Sequence, residues 1–290
     1  LPLPRERQRK LEGALLRGET ARVPASRMGP AQTVTGVGPG YAEETVRAAR
    51  LGGLPLRRLR VWVEPGEGAN DALARALSAL GCQVSRGTGR GEVTFRADWG
   101  GFRLLTWDET GRPISPDRLL VLLTRIEMEQ GRRRLALPGW APAAAEAVAA
   151  SFGGGVLRLG RDGEEALELW REQPWFRDAA SAGCRLCARL ALTGESLAHL
   201  NDSVPKFHTV RREVPLHSGR GRVMGEVLSR DRAAQSQGEG VRTAVGGGCV
   251  YLSPMSARNS LRLIVEATEL EAAEEICDFY DAQLRQLDGE

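Results

Sequence analysis

Between residues 59 and 192, short runs of branched and aliphatic side chains alternate with segments of helical period, and glycine closes most of the helical ones. No other feature of this sequence constrains its fold as strongly. The run 59–63, LRVWV, reads as a strand, and 71–80 as a helix with Asp71 in its first turn and Gly81 as its stop. Strands follow at 92–97 and 102–108, ending in the tight turn Glu109-Thr110-Gly111. Ser115-Pro116-Asp117 opens a helix that runs through 119–129. A strand at 134–138 and an Ala-rich helix at 141–152, closed by Gly153-Gly154-Gly155, come next. A strand at 156–159 and helices at 164–170, 178–192 and 196–203 complete the series. The alternation predicts α/β architecture, and from Ser115 to Ser203 a mostly parallel sheet covered by helices.

The pattern changes after 209. A strand at 209–214, a helix at 219–231 and strands at 240–245 and 249–252 around Gly246-Gly247-Gly248 precede LRLIVE at 261–266 and a long amphipathic helix at 269–287. Hairpin strands followed by a helix predict a smaller α+β unit. Upstream, 5–17 reads as a basic helix ending at Gly18, 23–40 as a linker rich in Pro, Gly, Ser and Thr, and 41–51 as a helix.

Composition narrows the function classes. With 42% hydrophobic residues in 290, the chain can bury two domains or three small ones. Lys and Arg exceed Asp and Glu by only 3, so neither a polybasic arm nor a nucleic-acid partner is expected. No apolar run reaches the ~18 residues that a membrane helix needs. Residues 1–10 carry no apolar signal core, and a start at Leu1 suits an excised piece of a longer chain. Five cysteines at irregular spacing fit a reduced, cytoplasmic protein better than a disulfide scaffold. Cys184 and Cys187 form a CxxC inside a helical stretch, which reads as two buried helix cysteines rather than a zinc or redox site. Three histidines, at 199, 208 and 217, give little support to a catalytic triad or a metal site.

Two clusters carry possible chemistry. Asp98, Asp108, Glu109 and Asp117 gather around strand ends, where carboxylates can hold Mg²⁺, although turn and cap roles explain the last three as well. SPMSARNSLR at 253–262 offers serines and arginines, good phosphate ligands, in what is equally an ordinary hairpin loop. The glycines of VGPG at 37–40 lack the strand-to-helix context of a dinucleotide site.

The C-terminal stretch EGVRTAVGGGCVYLSPMSARNSLRLIVEATELEAAEEICDFY, 239–280, resembles the fourth domain of the α-D-phosphohexomutases, the phosphoglucomutases and phosphomannomutases. That family reads DGVR, a glycine turn, then RPSGTEPxxRVYVEA. Pro254, Arg262, Val265, Glu266 and Ala267 match in register. REVPLHSGRGRVMGEVL at 212–228 looks like the opening of the same domain. ADWGGFRLLTWDETGRPISPDRLLVLL at 97–123 is similar to the family's passage from metal loop to third domain, ADxDGDGDRLxLVDExGxxLSxDxLLALL. LALPGWAPAAAEAVAASFGGGVLRLG at 135–160 and AGCRLCARLALTGESLAHLNDSVPKF at 182–207 resemble the start and end of the third domain. RQRKLEGALLRGE at 7–19 resembles the helix leaving the first. The resemblance implies a first-domain remnant and linker at 1–35 and mutase-like domains at 36–113, 114–208 and 209–290.

The departures shape what the resemblance implies for function. The family's phosphoryl-carrying serine belongs to a first domain with no match here, so no catalytic residue is assigned. The metal loop, which presents three aspartates in the family, keeps only Asp98, with Arg103 as a remnant, so Mg²⁺ is doubtful. The sugar loop Glu-x-Ser-Gly-His has no counterpart around 170–178. The phosphate loop has lost its leading arginine and its SGT triplet, which leaves Ser256, Arg258, Ser260 and Arg262 as candidate phosphate ligands. The expectation is a catalytically impaired module that binds a hexose phosphate or regulates. Part of an active mutase and a non-binding scaffold are the rivals. The module also resembles the C-terminal part of bacterial sugar-nucleotidyltransferase–mutase fusions, which implies an upstream nucleotidyltransferase domain as a partner.

Overall fold

The computed structural model describes residues 5–19, 22–49, 58–66, 68–86, 89, 91–230, 233–237, 240–255 and 259–289. The chain divides into two compact units, Leu1–Gly38 and Pro39–Glu290. In the first, α1 (Arg5–Leu16) ends at Gly18, whose φ of +65° is the left-handed geometry that glycine accepts without strain. Helix α2 (Val37–Ala49) begins four residues before the predicted 41, so VGPG is a helix start rather than linker. Pro39 lies in the first turn, where a backbone N–H has no intrahelical partner to lose.

The first sheet of the larger unit holds β1 (Arg60–Val63), β2 (Gln83–Arg86), β3 (Val93–Ala97), β4 (Leu104–Trp107) and β5 (Pro113–Ile114), in the order β2-β1-β3-β4-β5. α3 (Ala69–Leu80) crosses from β1 to β2, and β1 is parallel to both β2 and β3. β3–β4 and β4–β5 are antiparallel, so the sheet is mixed. The loop between β3 and β4 is too short for a crossover and can only turn the chain back.

The next segment contains α4 (Pro116–Glu129), β6 (Arg134–Leu137), α5 (Ala143–Ser151), β7 (Gly155–Arg158), α6 (Gly163–Arg171), α7 (Ala179–Thr193) and α8 (Leu197–Asp202). Among the described residues its sheet has two parallel strands, β6 and β7, joined through α5. The caps follow the sequence: Ser115, Asp178 and Ser196 accept from backbone N–H groups of the first turns of α4, α7 and α8.

Residues 179–191 of α7 are buried without interruption. A helix buried all round must be lined by small or apolar side chains, and AASAGCRLCARLA supplies them. Gly183 lets α3 approach closely, since a Cβ there would lie 3.0 Å from Leu73 Cδ1. The two arginines of this run are paired: Arg185 with Glu127 at 2.5 Å and Arg189 with Glu129 at 2.5 Å. One apolar cluster therefore runs from Ala42 to Phe207, through both the segments read as separate domains.

The last segment has its own core. β8 (His208–Pro215), β9 (Gln235–Gln237), β10 (Gly240–Val245), β11 (Gly248–Pro254) and β12 (Ser260–Ala267) form an antiparallel sheet in the order β8-β12-β11-β10-β9. Val214, Leu263, Val265, Val250 and Leu252 point to one face, covered by α9 (Arg220–Arg230) and α10 (Leu270–Gly289). By the two-residue alternation of strands, Arg211, Arg242, Arg262 and Ile264 occupy the other.

Candidate functional site

The site begins at the shortened loop 98–103. Asp98 N donates to Arg103 O at 2.9 Å, and Gly101 N to Asp98 O at 3.0 Å. The Asp98 carboxylate turns inward, with Oδ1 accepting from Phe102 N at 2.8 Å and Arg103 N at 3.1 Å. Gly101 O accepts from Ala179 N at 2.8 Å and ties the loop to the start of α7. A loop closed this way sends its side chains outward: Trp99 is fully exposed, and Phe102 is 69% exposed.

The second wall comes from the stretch that lacks the family's sugar loop. α6 ends in Trp170-Arg171, and a 3-10 turn, Pro174–Phe176, brings Phe176 parallel to Trp170, with ring centroids 6.1 Å apart. Arg177 lies over Trp170 at 5.4 Å and donates to the carbonyls of Trp170 and Arg171. Burial pushes its pKa down, against the pull of neighbouring Asp178. Trp175 is buried between the guanidiniums of Arg132 and Arg185, at 5.3 and 4.9 Å.

The third wall is the open face of the C-terminal sheet. Arg211 reaches across to Asp117, in the first turn of α4, at 2.6 Å. Arg262 is exposed and makes no side-chain hydrogen bond or ion pair among the described residues, and the same holds for Arg103.

The loop carrying Trp140 is gripped from two sides. The fully buried Arg158 donates to Pro138 O and Ala141 O, both at 2.9 Å, and pairs with Glu146 at 2.8 Å. Arg242 donates to Gly139 O at 3.0 Å and Ala141 O at 2.9 Å. Glu266 accepts from Ala143 N and Ala144 N, at 2.5 and 2.9 Å, and caps α5 from the neighbouring sheet. Burial raises the Glu266 carboxyl above its ordinary pKa, and those two N–H bonds oppose the rise.

Together the walls enclose a cleft of about 540 Å³. Arg103, Arg177, Arg211 and Arg262 line it, with Asp117 as the one acid among the described lining residues and Phe102, Trp140, Trp170, Trp175 and Phe176 as its aromatic surface. Of the residues singled out in sequence, Arg103, Asp117 and Arg262 all line this cleft, although 158 positions lie between the two arginines. Ser256 and Arg258 lie outside the described residues. Ser260 is 1% exposed and donates to Glu213 at 2.8 Å, so its hydroxyl serves the sheet rather than the cleft. Arg177, Arg211 and the tryptophans were not foreseen. The aromatic density of LWREQPWF at 169–176 is the local signal that points to them.

The loop does not fit magnesium. Mg²⁺ takes six oxygen ligands in near-octahedral geometry. Asp98 supplies the one carboxylate of the loop and is already held by two backbone N–H groups. Among the described residues no group of three His, Cys, Asp or Glu side chains is arranged to hold a metal ion. Asp108 is engaged as a turn acid by Thr110 and Arg112, and Asp117 by Arg211.

No family model matches the chain. A phosphoglucosamine mutase from Paenarthrobacter aurescens is 32% identical over 108 residues, 34% of this chain and 21% of its own. Among solved structures, a phosphoglucomutase/phosphomannomutase family protein from Burkholderia thailandensis superposes with a TM-score of 0.69 at 19% identity, over 87% of this chain and 64% of its own. An N-acetylphosphoglucosamine mutase of Aspergillus fumigatus, in complex with GlcNAc-6P and magnesium, gives 0.56 at 11% identity, over 86% of this chain and 65% of its own. The chain has the fold of the α-D-phosphohexomutases and spans just under two thirds of the length of these solved mutases.

Proposed function

We propose that this chain binds a hexose phosphate in the three-walled cleft, without a metal centre of its own and without carrying out phosphoryl transfer by itself. One observation carries the reading. Four guanidiniums from four separate stretches of the chain line one cleft, and two of them, Arg103 and Arg262, have no side-chain partner among the described residues. Unpaired guanidiniums make a seat for a phosphate, whose oxygens accept paired N–H bonds from the planar fork. The mutase fold and the solved relative that holds GlcNAc-6P support a sugar phosphate over other anions. In-line phosphoryl transfer needs a placed metal and a base beside the transferred group. Loop 98–103 provides no magnesium cage, which supports a binding or regulatory role. A cytoplasmic setting belongs to this reading, supported by five unpaired cysteines, four of them buried.

Calorimetric titration with glucose 1-phosphate, mannose 1-phosphate and glucosamine 6-phosphate, with and without Mg²⁺, tests it. Saturable binding that is independent of Mg²⁺ and weakens in Arg262→Ala is the expected result. Absence of heat with all three would leave a non-binding scaffold. Binding that requires Mg²⁺ would restore the metal loop.

A further inference from the structure

The cleft is more aromatic than a sugar phosphate requires. Three of the chain's six tryptophans and two of its six phenylalanines line it, and Trp99 stands on the adjoining loop. Two of the lining rings are largely exposed, Phe102 at 69% and Trp140 at 41%. Large exposed rings gathered in one cleft mark a binding surface, and the backbone around both is firmly held. Phe102 rides on the self-closed turn of Asp98, and Trp140 on a loop gripped by Arg158 and Arg242. Rings on fixed backbone form a stacking platform prepared before the ligand arrives.

A volume of about 540 Å³ lies within the usual range for drug-sized ligands, and a hexose monophosphate fills only part of it. The two unpaired guanidiniums, Arg103 and Arg262, match the two charges of a diphosphate diester. Among the described residues no carboxylate cage suits a magnesium ion, and arginines are groups that can neutralise such a linkage.

We infer that the cleft is built for a sugar nucleotide, a hexose joined through a diphosphate to a nucleoside. The diphosphate lies between Arg103 and Arg262, and the base stacks on Phe102 or Trp140. This rests on the hexose-phosphate reading and extends it to a larger ligand of the same class.

The test is titration of the whole chain with UDP-glucose, ADP-glucose, glucose 1-phosphate and glucose 1,6-bisphosphate, followed by calorimetry and by tryptophan fluorescence. At least one sugar nucleotide should bind about tenfold or more tightly than glucose 1-phosphate, as one stacked base warrants. Phe102→Ala and Trp140→Ala should together abolish the difference in affinity between the sugar nucleotide and glucose 1-phosphate. Circular dichroism establishes that the variants are folded, and Phe102→Leu, which removes the ring but keeps the bulk, repeats the test if Phe102→Ala is not. Equal or weaker binding of both sugar nucleotides, or tighter binding of the bisphosphate, would overturn the inference while the hexose-phosphate reading stands. An advantage that survives loss of both rings would overturn it too. If no compound binds, both readings fall.

Discussion

Arg158 and Arg262 lie in adjoining parts of the same fold and live in opposite conditions. Arg158, on β7, is wholly buried, and its guanidinium is consumed by Glu146 and the carbonyls of Pro138, Ala141 and Pro142. Arg262, on β12, is exposed at the cleft, and its guanidinium bonds to nothing among the described residues. The first is closed to a ligand, because it is fully buried and four of its five N–H donors are already engaged. The second contributes little to folding, because water solvates it equally well in the unfolded chain. An arginine-rich protein with a net charge of only +3 thus separates structural from available guanidiniums by position, not by number.

The contrast is broken most sharply at the buried end. Arg158→Met should cost about 3–5 kcal/mol, since removing one partner strands the carbonyls of the Trp140 loop in the interior. Burial and nearby Arg242 already push the Arg158 pKa down, with Glu146 opposing, which marks how far the charge depends on its partners. Urea unfolding measures the loss. A cost below about 1 kcal/mol would mean that water enters the seam and that burial does not distinguish the two arginines.

Arg112 is the intermediate case, exposed but paired. It bonds to Asp108 at 3.0 Å and Asp202 at 3.1 Å, and Asp108 also accepts from the Thr110 hydroxyl and from the backbone N–H of Thr110 and of Arg112. Burial raises the Asp108 pKa, but these bonds outweigh it and leave the carboxyl below its ordinary value. The unfolded chain titrates near ~3.9, so the stabilisation is complete above that pH and is lost as pH falls through the lower folded pKa. Asp108→Asn should cost about 1–2 kcal/mol at neutral pH and flatten the stability profile below about pH 4. An unchanged acid limb would place Arg112 with the free arginines.

Much of the fold was legible because local chemistry and tertiary structure agree in it. Ser115, Asp178 and Ser196 cap where capping residues should, and Gly81 and Gly194 end helices in left-handed geometry. The edge strands β2, β5 and β9 were missed, since QVSR, PI and QSQ are short or polar and depend on a neighbour for definition. The shared core was also missed. α7 belongs in sequence to one α/β segment yet packs on α3 and β4 of the other, and no local pattern announces a partner some hundred residues away. The cleft was half legible. Arg103 and Arg262 were reached through family motifs, whereas Arg177 and Arg211 sit in no motif and became visible only once three walls were assembled.

The smallest effect on stability carries the sharpest distinction. Arg103→Ala and Arg262→Ala, singly or together, should leave the unfolding free energy within about 0.5 kcal/mol, as for surface changes that break no contact. Each should nevertheless weaken glucose 1-phosphate binding about tenfold or more, because a charge-assisted hydrogen bond in a partly enclosed cleft is worth about 1.5–3 kcal/mol. Unfolding and titration on the same samples separate the two outcomes. A loss of stability above about 1 kcal/mol would show that these arginines hold the walls together and belong with Arg158. A loss of affinity at constant stability would mean that this fold keeps two of its guanidiniums out of its own hydrogen-bond network for a ligand to use.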